Sequence, residues 1–135
     1  MYKWLSFILV IGILAWLLAG CGGGDDRVLV GFSLAIGQRA AITGEDLEIE
    51  FLRIVEDSRC PRNATCIWEG RARCLVEIAV AGSSEQKELE EPGLTDEYSV
   101  VTHEDYRLAF HLEPYPGVDQ PIPRDEYRLQ LIISK

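Results

Sequence analysis

Apolar and polar residues alternate through most of the chain after residue 26. In the segment 47–51, Leu47, Ile49 and Phe51 alternate with two glutamates, and the same two-residue period returns in 72–80 and 106–113. A period of two turns one apolar face toward a core and is typical of half-buried β-strands. Turn-forming residues separate these segments about every ten residues, and we find no sustained helical period. The pattern therefore predicts an all-β domain.

About seven to eight short strands of this kind predict a single antiparallel β-sandwich or Greek-key barrel. The proline-rich segment 114–124 favours a Greek-key crossover into the last strand. After Phe51 the alternation loses its phase, which predicts a β-bulge or burial on both faces. The acidic segment 85–93 has only Leu89 to pack and is expected to form an edge strand or a loop.

The first 20 residues follow a different pattern and are predicted to be a cleaved signal peptide. Lys3 precedes an apolar run over 4–18, and small residues then close the run at Leu18-Ala19-Gly20-Cys21. These four residues resemble the lipobox of bacterial lipoproteins, which implies cleavage before Cys21 and a diacylglyceryl lipid on its sulfur. The alternative is an uncleaved membrane anchor, because residues 4–20 are just long enough to span a bilayer.

Three segments follow from this interpretation. Residues 1–20 form the lipoprotein signal peptide, residues 21–26 are the lipidated cysteine with a flexible Gly/Asp linker, and residues 27–135 form one β-sandwich domain. That length supports a single hydrophobic core. The expected location is the bacterial cell envelope, where the lipid holds the domain on a membrane and the domain faces outward. No cofactor is expected besides the covalent lipid on Cys21.

The acidic net charge of the chain argues against some classes of binding partner. The chain carries 13 basic and 22 acidic residues, and removal of residues 1–20 takes away only Lys3. Such an acidic surface repels nucleic acid and anionic lipid headgroups, so no nucleic-acid partner is expected. The acidic balance serves solubility most simply.

Three cysteines remain after Cys21, and an oxidising compartment should pair two of them. Closing Cys60 to Cys66 or to Cys74 differs by less than about 1 kcal/mol in chain entropy. The alternation of apolar and polar residues distinguishes the two pairings better than chain entropy does. Cys74 shares the apolar face of 72–80 and is expected to be a buried thiol. We therefore predict a Cys60–Cys66 disulfide and a free Cys74, with Cys74 in place of Cys66 as the alternative.

The disulfide would close a loop within the segment 57–70, which reads DSRCPRNATCIWEG. The DSRCP and CIWxG patterns resemble an uncharacterised β domain of bacterial secreted proteins and lipoproteins. The resemblance extends to Gly37-Gln38, Phe51, Leu112, Pro114, Tyr115-Pro116 and Tyr127. It implies an exported β domain and assigns no catalytic residue.

Two interpretations of this loop compete. In the structural one, Arg59 pairs with Asp57 or Glu69, and the ring of Trp68 is buried over the disulfide and the end of the sheet. In the other, the disulfide presents residues 61–65 to a partner with Arg62 near the tip, because a preorganised loop loses less entropy on binding. The candidate recognition residues are Arg59, Pro61, Arg62, Asn63 and Trp68.

Catalytic and metal sites are not predicted. A Cys–His pair would need an exposed Cys74 near His103 or His111, whereas alternation places Cys74 inward and His111 outward. The cysteine spacings are not those of compact zinc modules, and the acidic clusters lack EF-hand spacing.

The leading prediction is thus a membrane-anchored envelope lipoprotein with a non-catalytic binding or structural module, and an envelope or extracellular protein as its partner. The first alternative is a protease inhibitor that presents the Cys60–Cys66 loop. A small envelope enzyme is the last alternative.

Overall fold

The computed structural model describes residues 27–135, so the predicted signal peptide, Cys21 and the linker lie outside the described residues. A short 3-10 helix spans Arg124–Glu126. The eight strands are β1 (Val28–Ala35), β2 (Arg39–Ala41), β3 (Leu47–Asp57), β4 (Arg71–Val80), β5 (Ser83–Pro92), β6 (Ser99–His103), β7 (Tyr106–Glu113) and β8 (Arg128–Ser134). Within 27–135, no helix has the length and apolar character needed to cross a membrane.

The strands form two antiparallel four-stranded sheets, which confirms the predicted all-β sandwich. The strand orders are β1-β8-β7-β6 and β2-β3-β4-β5. Consecutive strands are neighbours within each sheet, and the chain passes from one sheet to the other between β1 and β2 and between β5 and β6. The last strand, β8, pairs with β1. The crossover expected from 114–124 is not formed, because Glu113 at the end of β7 pairs with Arg128 at the start of β8. The long proline-rich segment therefore joins two neighbouring strands, and its length is used in contacts with other loops.

The inward faces of the two sheets form the core, as the two-residue alternation predicts. Its completely buried members are apolar, among them Ile49, Phe51, Val76, Ile78, Leu108, Leu129 and Ile133. Cys74 lies in this core as a free thiol, and burial raises its pKa to about 12. The prediction of a buried, unpaired Cys74 is confirmed.

Two register shifts in β3 confirm the predicted irregularity after Phe51. They fall between Phe51 and Arg53 and between Ile54 and Glu56. The second shift leaves Asp57 opposite Ala72, which is buried. The bulges thereby bring the carboxylate of Asp57 to the inward side of the sandwich.

The acidic segment 85–93, which was expected to form an edge strand or a loop, lies mostly in the edge strand β5. β5 pairs with β4 along its whole length. Leu89 and Glu91 share its inward face and both are buried, whereas Glu85, Glu88 and Glu90 are exposed.

The two ends of the sandwich differ in their connections. Three long loops, 58–70, 93–98 and 114–127, lie at one end, which we name the loop end. Short turns at 42–46, 81–82 and 104–105 lie at the other end, where the amide of Arg27 also donates to the carbonyl of Lys135 at 3.0 Å. We name this second end the terminal end, because the described chain both enters and leaves there.

Candidate functional site

The guanidinium group of Arg59 lies at the centre of the loop end. Its side chain is completely buried, and its Nε and Nη2 atoms each donate to the Asp57 carboxylate at 2.8 Å. Nη1 donates to Glu91 Oε1 at 3.0 Å and to the Leu112 carbonyl at 2.8 Å. Nη2 also donates to the Pro114 carbonyl at 3.1 Å. Arginine has five N–H donors, so every donor of Arg59 is satisfied.

Neighbouring side chains complete a buried polar network. The hydroxyl of Tyr127 donates to Asp57 Oδ2 at 2.9 Å. Glu91 Oε2 accepts the Leu112 amide at 3.1 Å and lies 3.2 Å from His111 Nδ1. We name this network the Arg59 cluster; its side chains are those of Asp57, Arg59, Glu91, His111 and Tyr127. It joins strands of both sheets at the loop end.

Burial and charge oppose each other within the Arg59 cluster. Burial lowers the pKa of Arg59, but the hydrogen bond and charge of Asp57 and the charge of Glu91 raise it above its ordinary value. Burial raises the pKa of the Glu91 carboxyl, against the effects of His111, the Leu112 amide and Arg59. Burial and then the bond to Asp57 raise the pKa of Tyr127. A buried charge that loses its partner is costly, so the Arg59 cluster fixes the base of the loop.

Two glycines allow the chain to pack tightly at this base. The amide of Cys60 donates to the Glu69 carbonyl at 2.8 Å, and the amide of Gly93 donates to the Gly70 carbonyl at 2.9 Å. At Gly70 (φ +71°) a Cβ would lie 1.8 Å from the carbonyl oxygen of Ser58, and at Gly93 it would lie 2.0 Å from that of Glu69. Side chains cannot fit at either position, so the loops 58–70 and 93–98 are held together.

The predicted disulfide is confirmed. Cys60 and Cys66 are bonded, with their Cα atoms 6.0 Å apart. Cys60 is buried and Cys66 is exposed. The hydroxyl of Tyr115 donates to the Cys60 carbonyl at 2.8 Å and accepts the Leu94 amide at 2.7 Å. Tyr115 therefore links the three long loops at the point where the disulfide loop begins.

Arg62 is bound to neighbouring groups instead of projecting freely. Its guanidinium pairs with the Asp96 carboxylate, with Nη1 3.1 Å from Oδ2, and lies 4.5 Å from the centre of the Tyr115 ring. The hydrogen bond from Arg62 holds the pKa of Asp96 below its ordinary value. The side chain of Arg62 is 46% exposed, so this pair contributes little to stability.

Trp68 is exposed, and the prediction that its ring covers the disulfide is wrong. Trp68 is 59% exposed and its neighbour Ile67 is 105% exposed. The aromatic residue that contacts the start of the disulfide loop is instead Tyr115, whose hydroxyl donates to the Cys60 carbonyl at 2.8 Å.

The candidate recognition residues divide into two groups. Arg59 is buried and cannot contact a partner, and Pro61 is half-buried, whereas Arg62, Asn63 and Trp68 are exposed. Sequence reasoning assigned no role at this end to Glu91 or Leu94, and it named Ile67, Tyr115 and Tyr127 only as parts of a resemblance. Glu91 had a usable signal, because it lies two positions after Leu89 and so shares its inward face.

An open cleft of about 630 Å³ adjoins the disulfide loop. His111 lines it together with Arg62, Asp96, Glu113, Pro114, Tyr115, Glu126 and Arg128. A histidine held by a carboxylate is an arrangement that acid–base chemistry uses, but the cleft lining includes no serine, threonine or cysteine. Among residues 27–135, no three His, Cys, Asp or Glu side chains are grouped as metal ligands.

No protein-family model, curated protein or solved structure matches this chain. The resemblance to lipoproteins and to a secreted β domain therefore stays a prediction.

Proposed function

We propose that this protein is an envelope lipoprotein whose β-sandwich is a non-catalytic binding module, with the disulfide loop and the adjoining Ile67 and Trp68 as its recognition element. The observation that carries the proposal is the exposure of Ile67 and Trp68 on a loop with a fixed base. Contiguous exposed apolar side chains mark interaction sites, and tryptophan is enriched among the residues that dominate binding energy.

Rigidity of the loop base supports the same proposal. The disulfide closes the loop at Cys60 and Cys66, and the Arg59 cluster and Gly70 hold its two ends. A segment already ordered before binding loses less conformational entropy in a complex. The loop therefore offers its exposed side chains at little entropic cost.

The proposed lipid anchor rests on the lipobox at Cys21. The described chain begins at the terminal end, so a short tether at Cys21 would hold the terminal end near the membrane. Mass spectrometry of the mature N-terminus tests this directly. We expect a diacylglyceryl-modified Cys21 in the wild type and an uncleaved precursor for Cys21→Ser, and an unmodified Met1 in the wild type would contradict the proposal.

Binding is tested with full-length protein isolated from host membranes. The variants are Trp68→Ala and, as the matched control, Val100→Ala, because Val100 is also exposed but lies on β6. We expect an envelope protein to co-isolate with the wild type and the Val100 variant and to be lost with Trp68→Ala. Equal co-isolation in all three samples would contradict the proposed recognition element.

The protease-inhibitor alternative remains a prediction, and the contacts of the disulfide loop do not favour it. An inhibitory loop needs a side chain free to enter an active site, and Arg62 is engaged by Asp96 and Tyr115. Inhibition of trypsin-like proteases by the wild type but not by Arg62→Ala would favour it. The enzyme alternative is likewise a prediction.

A further inference from the structure

Exposed apolar side chains are concentrated at the loop end. Eight large apolar residues of the described chain are exposed. Five of them lie in the three long loops, and these are Ile67, Trp68, Leu94, Tyr98 and Val118. Of the others, Val28 lies at the terminal end, and Val100 and Ile132 lie on strands β6 and β8. Most of the large exposed apolar residues of the described chain therefore lie at the loop end.

Three of these residues come from two loops that are packed together, and we name Ile67, Trp68 and Leu94 the apolar tip. The amide of Gly93, next to Leu94, donates to Gly70, two residues after Trp68. Leu94 is 53% exposed and its φ is +56°, a backbone conformation that is unfavourable for a bulky residue. The fold thus holds Leu94 in a strained conformation that leaves its side chain in solvent.

The charges around the apolar tip are negative. Arg62 and Asp96 neutralise each other. Glu69 and Glu97 are exposed, and neither has an ion-pair partner in the part of the chain that the structure describes. A partner with anionic headgroups, a nucleic acid or a second copy of the same tip would meet like charge. An apolar pocket bordered by lysine or arginine would meet both the apolar side chains and the carboxylates favourably.

The length of the tether adds a second argument, which rests on the proposed lipid anchor. Residues 21–26 span at most roughly 20 Å when extended, whereas the ten residues of β4 span about 33 Å. Since the chain enters at the terminal end, the apolar tip cannot be inverted onto the membrane that holds Cys21. The proposed anchor therefore argues against direct insertion of the apolar tip into that membrane.

We propose that the apolar tip docks into an apolar pocket, bordered by lysine or arginine side chains, on an envelope or extracellular protein. This deepens the proposed function by stating the chemistry of the partner. Trp68 and Leu94 would fill the pocket, and Glu69 and Glu97 would face its basic border. The acidic residues select the partner and the apolar residues supply most of the affinity.

The test is photo-crosslinking in host cells with the full-length chain, with p-benzoylphenylalanine at position 94. It is repeated with Trp68→Ala, with Glu69→Lys and Glu97→Lys, and with Glu104→Lys, an exposed control at the terminal end. We expect one discrete protein adduct. Its yield should fall about tenfold or more with Trp68→Ala, fall severalfold with the two loop-end reversals, and stay unchanged with Glu104→Lys.

Other outcomes overturn the inference in distinguishable ways. An adduct that needs Trp68 but keeps its yield with both loop-end lysines would contradict the basic border and leave the proposed recognition element intact. An adduct with the mass of two copies would assign a self-contact instead. The absence of any protein adduct would overturn the inference and the proposed binding function together.

The fluorescence of Trp68 distinguishes a lipid partner from a protein partner. Trp4 and Trp16 lie in the predicted signal peptide, so Trp68 is the only tryptophan of a chain that begins at Cys21. We expect no quenching of Trp68 in vesicles of brominated phosphatidylcholine that hold the lipid-anchored protein. Strong quenching would place the tip in the bilayer and overturn the inference.

Discussion

Arg59 and Arg62 lie three residues apart in one loop, yet their surroundings are opposite. Arg59 is completely buried and all five of its N–H groups have acceptors. Arg62 is 46% exposed and is held by one carboxylate and one aromatic ring. The comparison shows that the loop has a structural base and an exposed apex. We name the mostly exposed residues 62–68 the apex, and in the proposed function Ile67 and Trp68 of the apex contact the partner.

The largest expected effect is at Arg59. Arg59→Ala should lower the free energy of unfolding by about 3–5 kcal/mol, because the carboxylates of Asp57 and Glu91 would stay buried without their partner. Arg62→Ala should leave the free energy of unfolding nearly unchanged, because its ion pair with Asp96 is exposed to solvent. Urea unfolding of both variants measures the difference.

Arg59→Lys serves as the second variant if Arg59→Ala does not fold. Lysine keeps the charge but has three donors and no planar fork, so we expect a clear loss of stability here as well. Equal urea midpoints for the Arg59 and Arg62 variants would contradict the division into base and apex.

The next effect concerns the glycine that closes the base. Gly70→Ala should cost about 2–4 kcal/mol, because a positive φ and an overlap with the Ser58 carbonyl oxygen act together. Gly82→Ala is the matched control, since φ is +81° there but a Cβ would meet nothing within 4 Å. We expect about 1–2 kcal/mol for the control. Thermal melts that give the same loss for both would contradict the tight packing at Gly70.

The disulfide has an intermediate expected effect. The double change Cys60→Ala/Cys66→Ala should cost about 2–3 kcal/mol, since it opens a short loop. The Arg59 cluster and the core do not involve either sulfur, so reductant alone should leave the strands intact. Circular dichroism during urea unfolding, with and without dithiothreitol, measures both effects. Complete unfolding by reductant at room temperature would show that the base depends on the disulfide.

The smallest stability effect is expected for Trp68. Because its ring is mostly in solvent, Trp68→Ala should change the free energy of unfolding by less than about 0.5 kcal/mol. Burial of the ring, which the sequence suggested, would instead make this change cost about 3–5 kcal/mol. The same urea experiment as for Arg62→Ala decides between these values, and a loss as large as that of the disulfide variant would contradict the exposed position.

The sequence predicted the local features of this fold. The period of two identifies the strands, the position of Cys74 on an apolar face identifies the disulfide, and the lost phase after Phe51 identifies the bulges. These signals need only neighbouring residues. The route of the segment 114–124 was predicted wrongly, because loop length alone does not distinguish a crossover from a connection between adjacent strands.

The candidate site was harder to predict because its contacts are distant in sequence. Arg59 meets Glu91, Leu112 and Pro114 across 32, 53 and 55 positions. Sequence reasoning proposed Asp57 as its partner, which is correct, and Glu69, which is not. Trp68 was assigned a buried position but is exposed, and Tyr115 from another loop contacts the start of the disulfide loop. A single sequence carries no signal for which of two aromatic residues makes that contact.

The most direct test of the account is the environment of Trp68 in a chain that begins at Cys21, where it is the only tryptophan. We predict that in the folded protein its fluorescence emission lies close to that of tryptophan in water, and that acrylamide quenches it nearly as well as in urea. Unfolding should then shift the emission little. Emission at shorter wavelength that resists acrylamide and moves to longer wavelength on unfolding would mean that Trp68 is buried, and would contradict the recognition role of the loop apex.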